Sequence, residues 1–153
     1  MDNRSSRWSR KFYYRQVDYI ISLLERQIGG LPYKNVEEYY KIMENMKKEP
    51  NPDTIKLLEG TIFPLEVINA FMLHNLLPDI WDGAGGNYLG KDWSALGSLL
   101  TVLNINEPKE VVTFLRYVDG FTTKFKNEEM AKDRKRLESQ GPSGQGKGIS
   151  VNG

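Results

Sequence analysis

The chain has 153 residues, 39% of them hydrophobic and 27% charged, and a net charge of +1, which suits one soluble globular domain with a substantial core. It contains no cysteine and one histidine, which excludes disulfides, cysteine nucleophiles and metal sites built from thiolates or several histidines. No apolar run approaches the roughly 18 residues of a membrane span, and no apolar segment follows the N-terminal arginines as in a secretory signal. The sequence therefore predicts a cytoplasmic protein without a membrane partner, or one incorporated in an assembly formed inside the cell.

The first half of the chain carries three helical patterns. Apolar residues recur at steps of three and four over residues 8–28, and a second helix is predicted over residues 36–48. A short third helix follows over residues 53–59, because a proline at the first helical position favours a start there. The expected helix-capping residues are Asn35, Asn51, Gly29, Gly30 and Gly60.

The second half is predicted to contain three more helices. Residues 64–77 are apolar nearly all round, so this helix is expected to lie centrally and to be surrounded by other helices. A helix over residues 93–103 follows, and the last begins near residue 107 and keeps an apolar stripe as far as Phe125. Beyond that point the stripe ends, and residues 126–140 are either a solvated helical extension or a helix that needs a partner.

No segment alternates apolar and polar residues over a sustained length, so the predicted fold class is all-α, one compact domain of about six helices. We divide the chain into a basic N-terminal arm (residues 1–7), a helical domain (8–125), a charged helical extension (126–140) and a disordered, glycine- and serine-rich tail (141–153).

The segment 81–93 concentrates four glycines and three large aromatic residues between two helical patterns. Glycine loses more conformational freedom on ordering than other residues, so a glycine cluster beside aromatic residues predicts a shaped inter-helix loop. Trp81, Tyr88 and Trp93 would hold this loop to the core and offer a contact surface, since long ordered loops usually have a function.

The same segment resembles part of a phosphate-binding loop. Residues 85–91 fit the spacing G-x-x-x-x-G-K, but Asp92 stands where the motif needs a hydroxyl to hold magnesium. The segment is preceded by a predicted helix end and a turn, whereas the motif follows a buried strand. Nucleotide binding is therefore the least favoured alternative, and no cofactor is predicted.

Charge is distributed unevenly along the chain. Residues 1–16 hold five basic residues against one acid, residues 35–82 hold nine acids against four lysines, and residues 124–138 hold six basic residues against four acids. Basic ends thus flank an acidic middle. A basic segment interleaved with aromatic residues is typical of contacts with nucleic acid, and equally of a docking arm for a protein or for a neighbouring copy.

No arrangement of residues indicates catalysis or metal binding. His74 lies in the most apolar predicted helix and is expected to be a packed histidine with one hydrogen bond. We therefore predict a non-enzymatic interaction module, an assembly, adaptor or structural component acting in several copies, for which a virus- or phage-encoded factor is one form. The alternative is a small nucleic-acid-binding regulator that uses the N-terminal arm. The predicted partner-binding residues are Arg7, Trp8, Arg10, Lys11, Phe12, Tyr13, Trp81, Tyr88 and Trp93.

Overall fold

The computed structural model describes the backbone of residues 3–141 and the side chains of residues 15–141. Helix accounts for 66% of the structure, which confirms the prediction of a mostly helical fold. The described part of the chain contains six helices and two short strands, in the order α1 (Asn3–Gly29), α2 (Val36–Asn45), α3 (Pro52–Glu59), α4 (Leu65–Leu76), β1 (Asp79–Trp81), β2 (Tyr88–Lys91), α5 (Leu96–Val102) and α6 (Pro108–Ser139).

Local capping chemistry explains where the short helices begin and end. The side chain of Asn35 accepts a hydrogen bond from the backbone N–H of Glu38 at the start of α2, and Asn51 does the same for Asp53 in α3. Gly60 ends α3 in the left-handed conformation, with φ of 71°. These three predicted caps are confirmed.

The core lies where α6 packs against α1 and α4. Apolar side chains from these three helices interdigitate there and exclude water, which stabilises the fold. The fully buried members of this cluster are Leu24, Val67, Ala70, Leu73, Val111 and Leu115.

Within the described part of the chain only one side of α4 is covered, which corrects the expectation that other helices surround it. Val67, Ala70 and Leu73 are completely buried against the core. The opposite side presents four apolar side chains to solvent, and we call this set the apolar face of α4. Its members are Leu65, Ile68, Met72 and Leu76, which are 60%, 52%, 38% and 53% exposed.

The glycine-rich segment is a β-hairpin, which corrects the prediction of an inter-helix loop in a strand-free domain. β1 and β2 pair antiparallel, with Ile80 opposite Gly90 and Trp81 opposite Tyr88. Leu89 is the additional residue between these pairs and forms a β-bulge. Strands of three and four residues are too short to produce a detectable alternating pattern, so the sequence did not reveal them.

The N-terminal end of the helical body differs from the predicted division, whereas a helix is present over most of the predicted charged extension. α1 includes the backbone of residues 3–7, which we predicted as a separate arm. α6 continues as one helix to Ser139, and residues 131–140 are exposed along their whole length. Residues 142–153 of the predicted tail lie outside the described residues. So do the side chains of the predicted contacts in α1, namely Arg7, Trp8, Arg10, Lys11, Phe12 and Tyr13.

Candidate interaction site

Asp119 of α6 joins three separate parts of the structure. Its Oδ1 accepts hydrogen bonds from the backbone N–H of Lys91, at 3.1 Å, and from His74 Nε2, at 3.2 Å. Its Oδ2 accepts from the indole Nε1 of Trp93 at 3.3 Å. One carboxylate thus links α4, β2 and the segment that leads into α5 to the central helix.

His74 is buried, as the sequence predicted, and forms its hydrogen bond with Asp119. Burial lowers the pKa of His74, because the charged imidazolium would lose its hydration, and the Asp119 carboxylate opposes this only in part. The imidazole is therefore neutral near pH 7 and donates through Nε2, since the carboxylate opposite can only accept. In this state it acts as a structural tie between α4 and α6.

Tyr88 fixes the hairpin to α6 and is completely buried. Its hydroxyl donates to Asp79 Oδ1 at 2.8 Å, and its backbone exchanges two hydrogen bonds with the side chain of Asn127. Burial, followed by the hydrogen bond to Asp79, raises the pKa of Tyr88. We predicted that Tyr88 contacts a partner directly. The structure corrects this prediction, because the ring of Tyr88 is not accessible to a partner.

Trp93 also has a structural position. Its indole is partly buried and packs against the main hydrophobic cluster, while its N–H is bonded to Asp119. Of the three aromatic residues predicted to contact a partner from this segment, Trp81 alone is exposed by half of its surface. It packs edge-on against Tyr88, with ring centroids 5.1 Å apart. Trp81 therefore presents an accessible indole that packs against the buried ring of Tyr88.

Two further residues of the hairpin are exposed, and the sequence did not single them out. Leu89 is exposed at the bulge and Ile80 is exposed on β1. The ammonium of Lys126 lies 4.2 Å from the ring centroid of Tyr88 and 5.7 Å from that of Trp81. We call Ile80, Trp81 and Leu89 the hairpin surface.

The hairpin turn does not have the geometry of a phosphate-binding loop. The carboxylate of Asp82 accepts hydrogen bonds from the backbone N–H groups of Ala84 and Gly85, both at 3.1 Å. These are the donors that would otherwise face an anion. The ammonium of Lys91 is 2.8 Å from Asp79 Oδ1, and this hydrogen bond is the main cause that lowers the pKa of Asp79. The arrangement thus disfavours the nucleotide-binding alternative.

The apolar face of α4 is the second candidate surface, and sequence reasoning missed it. The available signal was the lack of a polar side in residues 65–76, which we interpreted as complete burial. Four apolar residues spaced by three and four positions are neighbours on one side of a helix. The structure therefore exposes apolar side chains both on this face and on the hairpin surface.

The described residues provide neither a metal site nor a membrane-spanning helix. No group of three or more histidine, cysteine, aspartate or glutamate side chains there is placed to hold a metal ion. None of the helices in that part is both long and apolar enough to cross a bilayer. Comparisons with protein-family models, with curated proteins and with solved structures gave no match.

Proposed function

We propose that this chain is a non-enzymatic protein-interaction component that acts in a complex of several copies, in an assembly, adaptor or structural role. The apolar face of α4 is the observation that supports this role most directly. Monomeric proteins rarely expose contiguous apolar patches larger than a few hundred Å², and such patches typically mark interaction sites. A component of a virus or phage particle, assembled inside the cell, is one concrete form of the proposal.

The hairpin surface supports the same role. Trp81 belongs to a residue type that is enriched among the energetically dominant contacts of interfaces. The strand paired with it, β2, is held by Asn127 and Asp119, so little conformational freedom remains to be lost on binding. An exposed indole on a preorganised support is the arrangement expected of an interface anchor.

A co-purification experiment tests the proposal. A tagged chain is expressed in the cell that produces the protein together with an untagged copy, and everything retained is identified by mass spectrometry. We expect the tagged chain to retain either the untagged copy or a defined second protein. Met72→Glu places a carboxylate in the apolar face and should abolish that retention, since a buried unpaired charge is costly.

Leu137→Glu is the matched control, because Leu137 is also an exposed apolar residue but lies near the end of α6. It should leave retention unchanged. A tagged chain that retains neither its untagged copy nor any other protein would contradict the proposal.

Nucleic-acid binding is the second candidate, and the exposed end of α6 favours it. This part of the helix is exposed and carries Lys132, Arg134, Lys135 and Arg136. Arg134 also donates to Asn87 Oδ1, and Arg136 pairs with Asp133. Contacts with phosphates release counterions, so the affinity should fall steeply as the salt concentration rises. The double variant Lys132→Gln/Lys135→Gln should then weaken binding to DNA and RNA of any sequence. Absence of binding at low salt rejects this candidate.

A further inference from the structure

We propose that a second copy of the chain covers the apolar face of α4, with the two α4 helices packed antiparallel about a two-fold axis. The inference rests on the proposed function and names the partner at that surface. The helix is apolar on both sides, but the described residues bury only the side that carries Val67, Ala70 and Leu73. A second copy would supply the missing cover.

The spacing of the face is self-complementary. Steps of three, four and four residues from Leu65 to Leu76 form a nearly straight stripe along a helix of 12 residues, roughly 18 Å long. An antiparallel partner centred on the middle of α4 places Leu65 opposite Leu76, and Ile68 within about 1.5 Å of Met72 along the axis. Each apolar side chain then meets an apolar side chain of the other copy, as in the seam of two packed helices.

The charges of α4 favour the antiparallel arrangement. Glu66 is its only acidic residue, and its one histidine is buried on the core side. In the antiparallel pair the two Glu66 side chains lie about 14 Å apart along the axis, beyond the screening length at physiological salt. A parallel pair would bring them side by side. No charged group on the face itself would attract a strongly basic or acidic partner.

The C-terminal segment offers a poor alternative cover. Residues 142–153 contain only two large apolar side chains, Ile149 and Val151, against four on the face. A stable interface buries about 800 Å² on each partner, more than one three-turn stripe provides. The hairpin starts three residues after α4 and carries the exposed Ile80 and Trp81, which would widen the contact. Because this contact lies at the small end of the size range of stable protein interfaces, we expect a dimer that dissociates on dilution.

The oligomeric state of the full-length chain is the first test. Sedimentation velocity or light scattering over a wide range of concentrations should show a monomer–dimer equilibrium. Ile68→Glu and Met72→Glu should each weaken dimerisation by roughly a hundredfold or more, because every dimer would bury two unpaired carboxylates. Leu137→Glu should leave it unchanged. Circular dichroism should match the wild type, and so should thermal melts at concentrations where the wild type is monomeric, since all three positions are exposed.

The register is tested by cross-linking, for which the absence of cysteine is an advantage. Mixing Ile68→Cys with Met72→Cys chains under mild oxidation should give the mixed disulfide, because the two residues face each other. Leu65→Cys alone should give none, since its two copies lie about 16 Å apart along the axis, too far for a disulfide. A dominant cross-link between two Leu65→Cys chains would show a parallel pair and overturn the arrangement.

The failure of this inference can be distinguished from the failure of the proposed function. A wild-type chain that stays monomeric at every concentration overturns the self-association. If the monomeric wild-type chain retains a second protein and its Met72→Glu variant does not, the face serves another partner and the general proposal stands. If deleting residues 142–153 creates a dimer that the full chain lacks, the tail covers the face and the inference is wrong.

Discussion

Asn127 of α6 pairs with the peptide of Tyr88 as a neighbouring strand would. Its side-chain carbonyl accepts from the Tyr88 N–H at 2.9 Å, and its amide donates to the Tyr88 carbonyl at 2.9 Å. A two-stranded sheet leaves backbone groups unpaired on its outer edges, and buried groups of this kind need partners. One side chain on α6 thus extends the hydrogen-bond pattern of the hairpin and fixes its position.

Replacing this side chain should loosen the hairpin. Asn127→Leu removes both hydrogen bonds and leaves the peptide of Tyr88 unsatisfied, which should lower the free energy of unfolding by about 1–3 kcal/mol. Urea denaturation measures the loss, and amide hydrogen exchange at Tyr88 should become faster. Glu128→Ala, at an exposed neighbouring position, should change neither quantity. Unchanged protection at Tyr88 in Asn127→Leu would contradict the assigned role.

The buried hydroxyl of Tyr88 should make the fold sensitive to alkali. Its pKa is raised in the folded state, so the unfolded chain ionises first once the pH exceeds the ordinary tyrosine value of 10.0. The unfolded state then binds fewer protons than the native state, and the free energy of unfolding falls as the pH rises. Tyr88→Phe should cost roughly 1 kcal/mol at neutral pH, through the lost bond to Asp79, and reduce this alkaline loss. Equal slopes above pH 10.0 for the two proteins would contradict the prediction.

His74 should make the fold sensitive to mild acid. Burial lowers its pKa below the ordinary value of 6.5, so the unfolded chain takes up a proton at a higher pH than the native chain does. The unfolded state therefore binds more protons just below pH 6.5, and the free energy of unfolding decreases there as the pH falls. Asp119 and Asp79 oppose this effect, whereas Lys91 adds to it.

His74→Gln keeps a donor for Asp119 but does not titrate, so its stability should depend less on pH in this window. Chemical denaturation at a series of pH values measures the difference. The native pKa follows from the imidazole resonances in NMR spectra, which are unambiguous because the chain has one histidine. A native pKa at or above 6.5 would contradict the assignment.

Gly90 should tolerate no side chain. Its φ is +101°, and a Cβ there would lie 3.0 Å from Asp119 Oδ2. Gly86 has a φ of +67° with no atom within 4 Å of its Cβ position, so Gly86→Ala isolates the cost of the backbone conformation, about 1 kcal/mol. Gly90→Ala should cost more, because it also displaces the carboxylate. Gly97→Ala, in α5 and in open space, should be neutral or slightly stabilising. Thermal melts of the three variants compare these costs, and equal losses for Gly86→Ala and Gly90→Ala would exclude the contact.

The sequence alone determined the features that depend on neighbouring residues. The helical content followed from apolar residues at steps of three and four, and the ends of the short helices followed from Asn35, Asn51 and Gly60. These signals act within one or two turns, so they are readable without knowledge of the fold. The burial of His74 was predictable for the same reason, because it lies within a strongly apolar helix.

Only the tertiary structure decided which surfaces stay open. Periodicity shows that α4 is apolar, but the number of helices that cover it depends on how α1 and α6 pack, which is a long-range property. The hairpin likewise depends on α6, because Asn127 and Asp119 supply hydrogen bonds that two very short strands cannot make for themselves. Tyr88 and Trp81 looked equivalent in the sequence, and contact with α6 buried the first while leaving the second exposed.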